Sequence, residues 1–256
     1  MTLFPLLKDY LKQDRGIVVA VVVRGPADLL GRKALIPVDA EPEGALLQTA
    51  IGPTIVADAR ALLEKRASKT RQYELDVSGR PETVEVFFDV HAPSPKLIIV
   101  GAVHIASDLI HFAKPLKMTT YVIDPRTAFA TDQRFAHADH LSHAWPDEVL
   151  TDIGLNNESH VVVVTHDPKL DDPALKIALP SPARYVGALG SPKTHAKRVV
   201  RLLEEGMAQE HVDRLHAPIG LNIGGRTPAE IALSIMAEIV AIRNNMPLAN
   251  RAMPTP

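Results

Sequence analysis

The feature that most constrains the fold of this chain is a succession of short apolar runs and helical patterns that begins at residue 97. The apolar runs, which we interpret as strands, are residues 97–100, 119–124, 160–165 and 184–186. Helical patterns stand between and after these runs. Such alternation is typical of a mostly parallel sheet with helices on both faces. The sequence therefore predicts a doubly wound α/β domain in this part of the chain.

The part before residue 93 has a weaker, mixed pattern. Its predicted elements are helices at 2–14 and 55–67 and strands at 17–23, 34–38 and 83–90. The β-branched run 17–23 is expected to be buried on both faces of its sheet, and Pro37 places strand 34–38 at an edge. Two prolines in Ala92-Pro93-Ser94-Pro95 favour an extended linker. We therefore expect a small α+β domain at 1–92 and a larger one at 93–256.

Composition excludes several classes of protein. A net charge of −2 over 256 residues gives no basic surface for nucleic acid. No apolar stretch approaches the length of a membrane span, and charged residues crowd the N-terminal region, where a signal peptide would be apolar. We therefore expect a cytoplasmic protein. The absence of cysteine rules out disulfides, thiolate metal sites and a cysteine nucleophile.

Three turns that contain glycine each open a predicted helix. They lie at residues 101–104, 187–195 and 218–230. A helix N-terminus presents unpaired N–H groups and a partial positive charge, and glycine lets the backbone approach a ligand closely. The sequence thus predicts a pocket for a phosphorylated cofactor, provided that the fold brings the turns to one edge. The candidate binding residues are Gly101, Ala102, His104, Asp124, Arg126, His166, Asp167, Gly187, Gly190, Ser191, Lys193 and Arg226.

Several of these candidates have a structural alternative. The first turn fits the dinucleotide fingerprint G-x-G-x-x-G/A except that Val103 replaces the second glycine, which normally meets the pyrophosphate. Asp124 stands where an acid would hold a ribose hydroxyl, or it forms a polar turn at the strand end. His166 is a ligand contact, a proton donor or a turn histidine. Ser191 suits a helix cap as well as an anion.

Three histidines at a spacing of three residues raise the question of a metal site. They are His137, His140 and His143. The segment is polar and has no evident helix to bring the rings together, so we interpret it as a solvated turn and assign no metal ligands.

Taken together, these segments resemble the XdhC/CoxI family, accessory proteins that help to mature molybdenum-containing hydroxylases such as xanthine dehydrogenase. The resemblance covers about residues 84–245. It is carried by residues 95–106, 122–131, 164–167, 187–195 and 215–232. It implies a Rossmann-type C-terminal domain behind a smaller N-terminal domain. It also implies a protein that binds the molybdenum cofactor, protects it while its sulfido ligand is installed, and delivers it to the apo-enzyme.

The resemblance also implies partners, and the chain departs from the family at two places. The implied partners are a molybdenum hydroxylase apo-enzyme and a sulfurtransferase or cysteine desulfurase. Apart from the resemblance, the Val- and Ile-rich faces of the predicted elements suggest a homodimer. Family members usually have glycine at the place of Val103, and their N-terminal domain commonly has a glycine-rich stretch ending in cysteine.

We expect a non-catalytic cofactor chaperone. The alternatives are an NAD(P)-dependent oxidoreductase with His166 as proton donor, and a docking partner that binds no cofactor.

Overall fold

The computed structural model of the protein describes residues 3–77 and 80–248 and divides into two compact units, Met1–Pro93 and Ser94–Pro256. The elements of the N-terminal unit are α1 (Phe4–Lys12), β1 (Ile17–Arg24), β2 (Lys33–Pro37), a 3-10 helix (Ala45–Gln48), α2 (Gly52–Glu64), β3 (Lys69–Val77) and β4 (Arg80–His91). Their strands form an antiparallel sheet in the order β2-β1-β4-β3.

The core of the N-terminal unit lies between α2 and one face of this sheet. Ile55 and Ala59 of α2 pack in one cluster with Val18 and Ala20 of β1. The other face of β1 is covered only in part, and Val23 at its end is 47% exposed. The expectation that this run is buried on both faces is therefore wrong for its second half, because the sheet is antiparallel and solvated there. Strand β2 lies at the edge, as Pro37 predicts.

The C-terminal unit alternates strands and helices along its whole length. Its elements are β5 (Lys96–Val100), α3 (His104–Ala113), β6 (Thr119–Ile123), α4 (Asp132–Phe135), β7 (His140–Ser142), α5 (Pro146–Ile153), β8 (Ser159–Val163), α6 (Pro168–Ala178), β9 (Tyr185–Ala188), α7 (Pro192–Glu204), α8 (Gln209–Val212), β10 (Leu215–His216) and α9 (Pro228–Arg243). The strands form a parallel sheet in the order β7-β6-β5-β8-β9-β10.

This strand order is that of a Rossmann fold, and the order in which the strands are added reverses between β5 and β8. Both faces of the sheet are covered. Leu97 and Ile99 of β5 face a cluster that contains residues of α3 and α9, and Ile98 and Val100 face a cluster that contains residues of α6 and α7. The predicted fold class, a Rossmann-like doubly wound sheet with a smaller α+β unit before it, is confirmed.

Candidate functional site

The carboxyl ends of the parallel strands form the edge at which a ligand is expected, since open α/β sheets bind ligands outside that edge at the reversal of strand order. Here β5, β8 and β9 lead directly into α3, α6 and α7, and the loop after β10 leads into α9. Four helix N-termini therefore lie along one edge of the sheet. Each adds unpaired N–H groups and partial positive charge.

The first turn, after β5, is shaped by Gly101. Its φ of +117° is a conformation that L side chains rarely adopt, and a Cβ there would lie 2.8 Å from Cγ2 of Thr165. Ala102 is fully buried, and its N–H donates to Oδ2 of Asp124 at 2.8 Å. His104 begins α3 and is exposed. Of this turn, His104 is thus an exposed side chain, while Gly101 and Ala102 are packed inside.

Asp124, at the end of β6, is fully buried and bonded on both oxygens. Oδ1 accepts from the backbone N and from Nε of Arg126, at 3.0 and 2.8 Å. Oδ2 accepts from Nη2 of Arg126 and from the N–H of Ala102, each at 2.8 Å. Burial acts to raise the pKa of Asp124, but these hydrogen bonds outweigh it and the pKa lies below its usual value. The carboxylate therefore ties β6 to the first turn.

Arg126 is held against this edge by more than its carboxylate partner. Its guanidinium carbon lies 4.7 Å from the centre of the Phe129 ring, within the range of a cation–π contact. The pairing with Asp124 raises the pKa of Arg126, and Asp167 and Asp171 act in the same direction from across the sheet edge. Arg126 is a fixed positive charge beside the crevice between β5 and β8.

His166 and Asp167 stand between β8 and α6. His166 is exposed and has a φ of +65°, which is uncommon for a residue other than glycine. Asp167 caps α6 by accepting from the N–H of Lys169 at 3.0 Å, and its own N–H donates to Oγ1 of Thr165 at 2.9 Å. Asp167 therefore has a structural task, while the imidazole of His166 projects from a strained backbone position, the kind of position that clusters at functional sites.

The second glycine turn divides between strand and loop. Gly187 lies inside β9, where a Cβ would come within 2.7 Å of Ile219 and 2.6 Å of the hydroxyl of Tyr185, so it serves packing. Gly190 follows β9 with a φ of +150°. Ser191 caps α7 by accepting from the N–H of Thr194 at 3.2 Å, and Lys193 is exposed.

The third turn, before α9, separates two cavities. A cavity of about 360 Å³ is lined by residues 189–190, by the loop after β10 and by Arg226. A second cavity of about 380 Å³ is lined by His104, Arg134 and the first residues of α9. Arg226 is exposed, and its N–H donates to Oε2 of Glu230 within the capping box of α9. The structure thus places residues of all three turns around the start of α9, with Gly190 and Arg226 in one cavity wall and His104 in the other.

Comparison with known proteins decides the family. Residues 97–239 match the family model described as the XdhC Rossmann domain. The chain belongs to this family. The resemblance drawn from the sequence is therefore confirmed.

Three curated relatives share part of this sequence. YqeB of Escherichia coli K12 and a probable xanthine dehydrogenase subunit of Bacillus subtilis 168 are each 32% identical over 165 residues, 64% of this chain. The molybdenum cofactor insertion chaperone PaoD of Escherichia coli K12 is 33% identical over 89 residues, 35% of this chain. The matched segments cover 30%, 48% and 28% of these relatives, so the chain spans less than half of their length.

A solved structure described as a xanthine dehydrogenase from Bacillus halodurans has the same fold. It superimposes with a TM-score of 0.53 at 20% identity, and the match covers 99% of this chain and 98% of the other. At that identity the likeness concerns the fold alone.

Sequence reasoning missed three groups of polar residues in this XdhC Rossmann domain. Arg134, on α4, donates from Nη1 to the carbonyl oxygen of Ala102 at 3.2 Å and lines the second cavity. Asp171 and Arg198 form a buried ion pair, Oδ2 to Nη2 at 3.1 Å. The third group is centred on the carboxylate of Glu238. These contacts join elements that are distant in the chain, and no local motif marks them.

Burial destabilises the charged form of Asp171 in this ion pair. Burial raises its pKa, and the opposing effects of the Thr165 hydroxyl and the Arg198 guanidinium do not cancel that rise. Asp171 and Arg198 are 2% and 1% exposed. A buried ion pair of this kind is costly unless its remaining donors and acceptors are satisfied.

Glu238, inside α9, is fully buried and joins three other elements of the C-terminal unit. Its Oε2 accepts from the hydroxyl of Tyr185 at 2.6 Å and from the N–H of Gly220 at 2.9 Å. Its Oε1 lies 3.1 Å from Nδ1 of His216. Burial acts to raise the pKa of Glu238, but the hydrogen bonds from His216 and Tyr185 outweigh it and lower the pKa. One carboxylate therefore fixes the loop that lines the first cavity.

Two kinds of feature are absent from residues 3–77 and 80–248. Within these residues no helix is long and apolar enough to cross a bilayer. In the same part of the chain, no group of three or more histidine, aspartate or glutamate side chains is arranged to hold a metal ion.

Proposed function

We propose that this chain is an accessory factor for a molybdenum hydroxylase of the xanthine dehydrogenase type, and that it binds the molybdenum cofactor and delivers it to the apo-enzyme. Membership of the XdhC Rossmann domain family supports this, as do relatives named as a molybdenum cofactor insertion chaperone and as a probable xanthine dehydrogenase subunit. The cofactor is a pterin that carries a phosphate, sometimes joined to a nucleotide. Its chemistry suits an edge where several helix N-termini begin.

The observation that carries the proposal is the meeting of the three glycine turns around the start of α9. His104 and Arg226 are exposed side chains on the walls of the two cavities there. The guanidinium of Arg226 suits a phosphate oxygen, and the imidazole of His104 suits a polar edge of the pterin. In the proposed complex the phosphate lies at a helix N-terminus and the pterin ring extends along the sheet edge.

An NAD(P)-dependent oxidoreductase is the alternative that the geometry disfavours. Asp124, the residue expected to hold a ribose hydroxyl, accepts four hydrogen bonds from the protein and is fully buried. Val103 adds a side chain where the usual fingerprint needs bare backbone. None of the three curated relatives is named for a nicotinamide nucleotide. A sulfurtransferase or cysteine desulfurase partner and a homodimer stay predictions.

The first test is to identify the small molecules released from protein purified out of a host that makes the molybdenum cofactor. Wild type is expected to release a pterin phosphate, and His104→Gln and Arg226→Gln to release several-fold less, since each removes one contact worth about 1–2 kcal/mol. Lys117→Gln is the matched control, because Lys117 is an exposed cation just before β6, at the opposite edge of the sheet.

The outcome of this test separates the functions considered. Release of a nicotinamide nucleotide would replace the proposal by the oxidoreductase alternative. Repeated preparations that release no pterin from wild type would contradict cofactor binding and favour the docking role. Equal depletion in all three variants would show that the sheet edge is not the site.

A further inference from the structure

Arg198, in the second turn of α7, is a buried cation, and some of its N–H donors have no acceptor among the described residues. It is 1% exposed, and its Nη2 donates to Oδ2 of Asp171 at 3.1 Å and to the carbonyl oxygen of Leu189 at 3.0 Å. Within residues 3–77 and 80–248, Nε and Nη1 find no hydrogen-bond partner. Buried guanidinium groups are normally hydrogen-bonded throughout, so these free N–H groups call for an explanation.

The neighbouring ion pair on the same helix shows what a purely structural arginine looks like here. Arg201, one turn further along α7, donates from Nε and Nη2 to the two oxygens of Asp172, at 2.6 and 3.0 Å. That pair is bidentate, and the arginine side chain is 34% exposed. Arg198 uses a single nitrogen for its carboxylate although it is far more buried. This difference in pairing leaves Nε and Nη1 of Arg198 able to donate to another acceptor.

The free nitrogen Nη1 lies beside the turn that opens α7. A Cβ built on Gly190 would be 3.7 Å from Nη1, so the face of Gly190 that lacks a side chain is directed to the guanidinium. Gly190 also lines the cavity of about 360 Å³. The N-terminus of α7, a helix of 13 residues, begins at the next residues. A buried positive charge, free N–H donors and a helix N-terminus therefore meet at Gly190.

We propose that the turn of residues 190–194 is a binding site for a phosphate group, in which Arg198 donates from Nη1 to a phosphate oxygen. The inference rests on the proposed function in that the phosphate is the one that the cofactor carries. The backbone N–H groups of the first turn of α7 provide further donors, beside Arg226 on the wall of the same cavity. Lys193, exposed on the same turn, adds charge at longer range. Asp171 is a positioning residue that holds the guanidinium in place.

The turn is closed over Arg198 in this conformation. Nε and Nη1 have essentially no accessible surface, and the Thr194 side chain lies 3.2 Å from the Cβ position of Gly190. Binding therefore requires a small shift of the turn. Gly190 is the residue that can accommodate it, because glycine has more backbone freedom than any other residue.

The test compares two conservative variants of arginines on one helix, Arg198→Lys and Arg201→Lys. The full chain is titrated with inorganic phosphate at constant ionic strength, and binding is followed by the rise in thermal unfolding midpoint. Lysine keeps the charge beside Asp171 but loses the planar donor arrangement. We expect about a tenfold loss of phosphate affinity in Arg198→Lys, the size of one charge-assisted hydrogen bond, and little change in Arg201→Lys.

A second measurement does not depend on the stability of Arg198→Lys. In wild type, the side-chain Nε–H resonance of Arg198 is expected to shift on addition of phosphate, while that of Arg201 stays in place. The Arg201→Lys spectrum, which lacks the Arg201 signal, separates the two. An unmoved Arg198 resonance at saturating phosphate would overturn the inference, and so would equal phosphate affinity in the two variants.

The two proposals fail in distinguishable ways. If inorganic phosphate binds through Arg198 but no pterin is released from purified protein, the phosphate site stands and the cofactor function fails. If Arg198→Lys retains pterin phosphate as well as wild type does, the cofactor function stands and this site for its phosphate is wrong.

Discussion

At the scale of single residues, Gly101 occupies a position with little room for change. A Cβ there would lie 2.8 Å from Cγ2 and 3.1 Å from the backbone N of Thr165, and its φ is +117°. Two independent obstacles therefore act on any substitution: a strained backbone and a clash with Thr165, in the segment that follows β8. The first turn depends on this glycine for its shape before any ligand is considered.

We predict that Gly101→Ala lowers the free energy of unfolding by about 3 kcal/mol or more, because the clash adds to the roughly 1–3 kcal/mol of backbone strain. Gly206→Ala is the control: it has a φ of +89° but no atom within 4 Å of the added Cβ. It should cost only about 1 kcal/mol. Urea denaturation of both variants measures the difference, and equal losses would show that contact with Thr165 is unimportant.

His160 is a second residue whose environment has a measurable effect, in this case on its pKa. It is fully buried in β8, and its Nδ1 lies 3.1 Å from the carbonyl oxygen of Lys96. Burial lowers its pKa to about 4, and the charges of Arg243 and Arg184 act in the same direction. The ring is therefore neutral in the folded protein throughout the physiological range.

This low pKa predicts a loss of stability on mild acidification. Below pH 6.5 the unfolded chain binds a proton at His160 that the folded chain does not bind, so the free energy of unfolding falls by up to about 3 kcal/mol as the pH drops towards 4. His160→Phe should remove this part of the slope, as measured by urea midpoints between about pH 7 and 4.5. Identical slopes in wild type and variant would contradict the assigned pKa.

The candidate residues show what sequence can say at this scale and what it cannot. A cap such as Ser191 follows from a serine directly before a proline at the start of a helix, and the structure has it. The saturation of Asp124 by Ala102 and Arg126, and the packing of Gly187 against Ile219, depend on residues brought together by the fold. A strand-end acid or a turn glycine looks the same in sequence whether it meets a ligand or the protein itself.

At the scale of elements, α9 organises the loop at the candidate site. Its first turn has the capping box of Thr227 and Glu230, which the sequence predicts. Further along, Glu238 accepts hydrogen bonds from Tyr185 on β9 and from Gly220 in the loop, and lies beside His216 on β10. One helix thus holds both the start of the loop and its end.

We predict that Glu238→Gln loosens this loop. The amide is neutral and has one oxygen in place of two, so the hydrogen bonds from Tyr185 and Gly220 lose their charged acceptor. His216 must also change tautomer to accept from the amide N–H, and we expect a total cost of about 1–3 kcal/mol. Hydrogen exchange at the N–H of Gly220 should become faster. Glu230→Gln, in the first turn of α9, should weaken the helix cap but leave the exchange rate of Gly220 unchanged. Unaltered exchange in Glu238→Gln would mean that the loop is held by other contacts.

Some helices and strands were not predicted because their sequences lack a recognisable pattern. Helix α6 has Pro173 in its interior, which breaks the usual helical pattern. Strands β7 and β10 have three and two residues, too few for any periodicity. Strand β3 is rich in charged residues and depends on its pairing with β4. The apolar runs of the parallel sheet, by contrast, were predicted close to their observed bounds.

At the scale of the whole molecule, the order of strands and helices along the chain was enough to predict the Rossmann-like sheet. Parallel strands need crossover helices, and right-handed crossovers leave few arrangements. The position of the candidate site within that sheet also follows, because open α/β sheets bind ligands at the carboxyl ends of their strands. Which side chains remain available there depends on pairings such as Asp171 with Arg198, and these were not predictable.

The short outer strands of the parallel sheet also bear on aggregation through exposed strand edges. An exposed strand edge offers unpaired N–H and C=O groups to any other strand, and long, flat edges are templates for aggregation. Here the two outer strands, β7 and β10, have three and two residues. In the N-terminal sheet, Glu43 pairs in both directions with Leu35 on the outer side of β2. Three of the four outer strands of these two sheets are thus either very short or already paired, and the fourth, β3, is rich in charged residues.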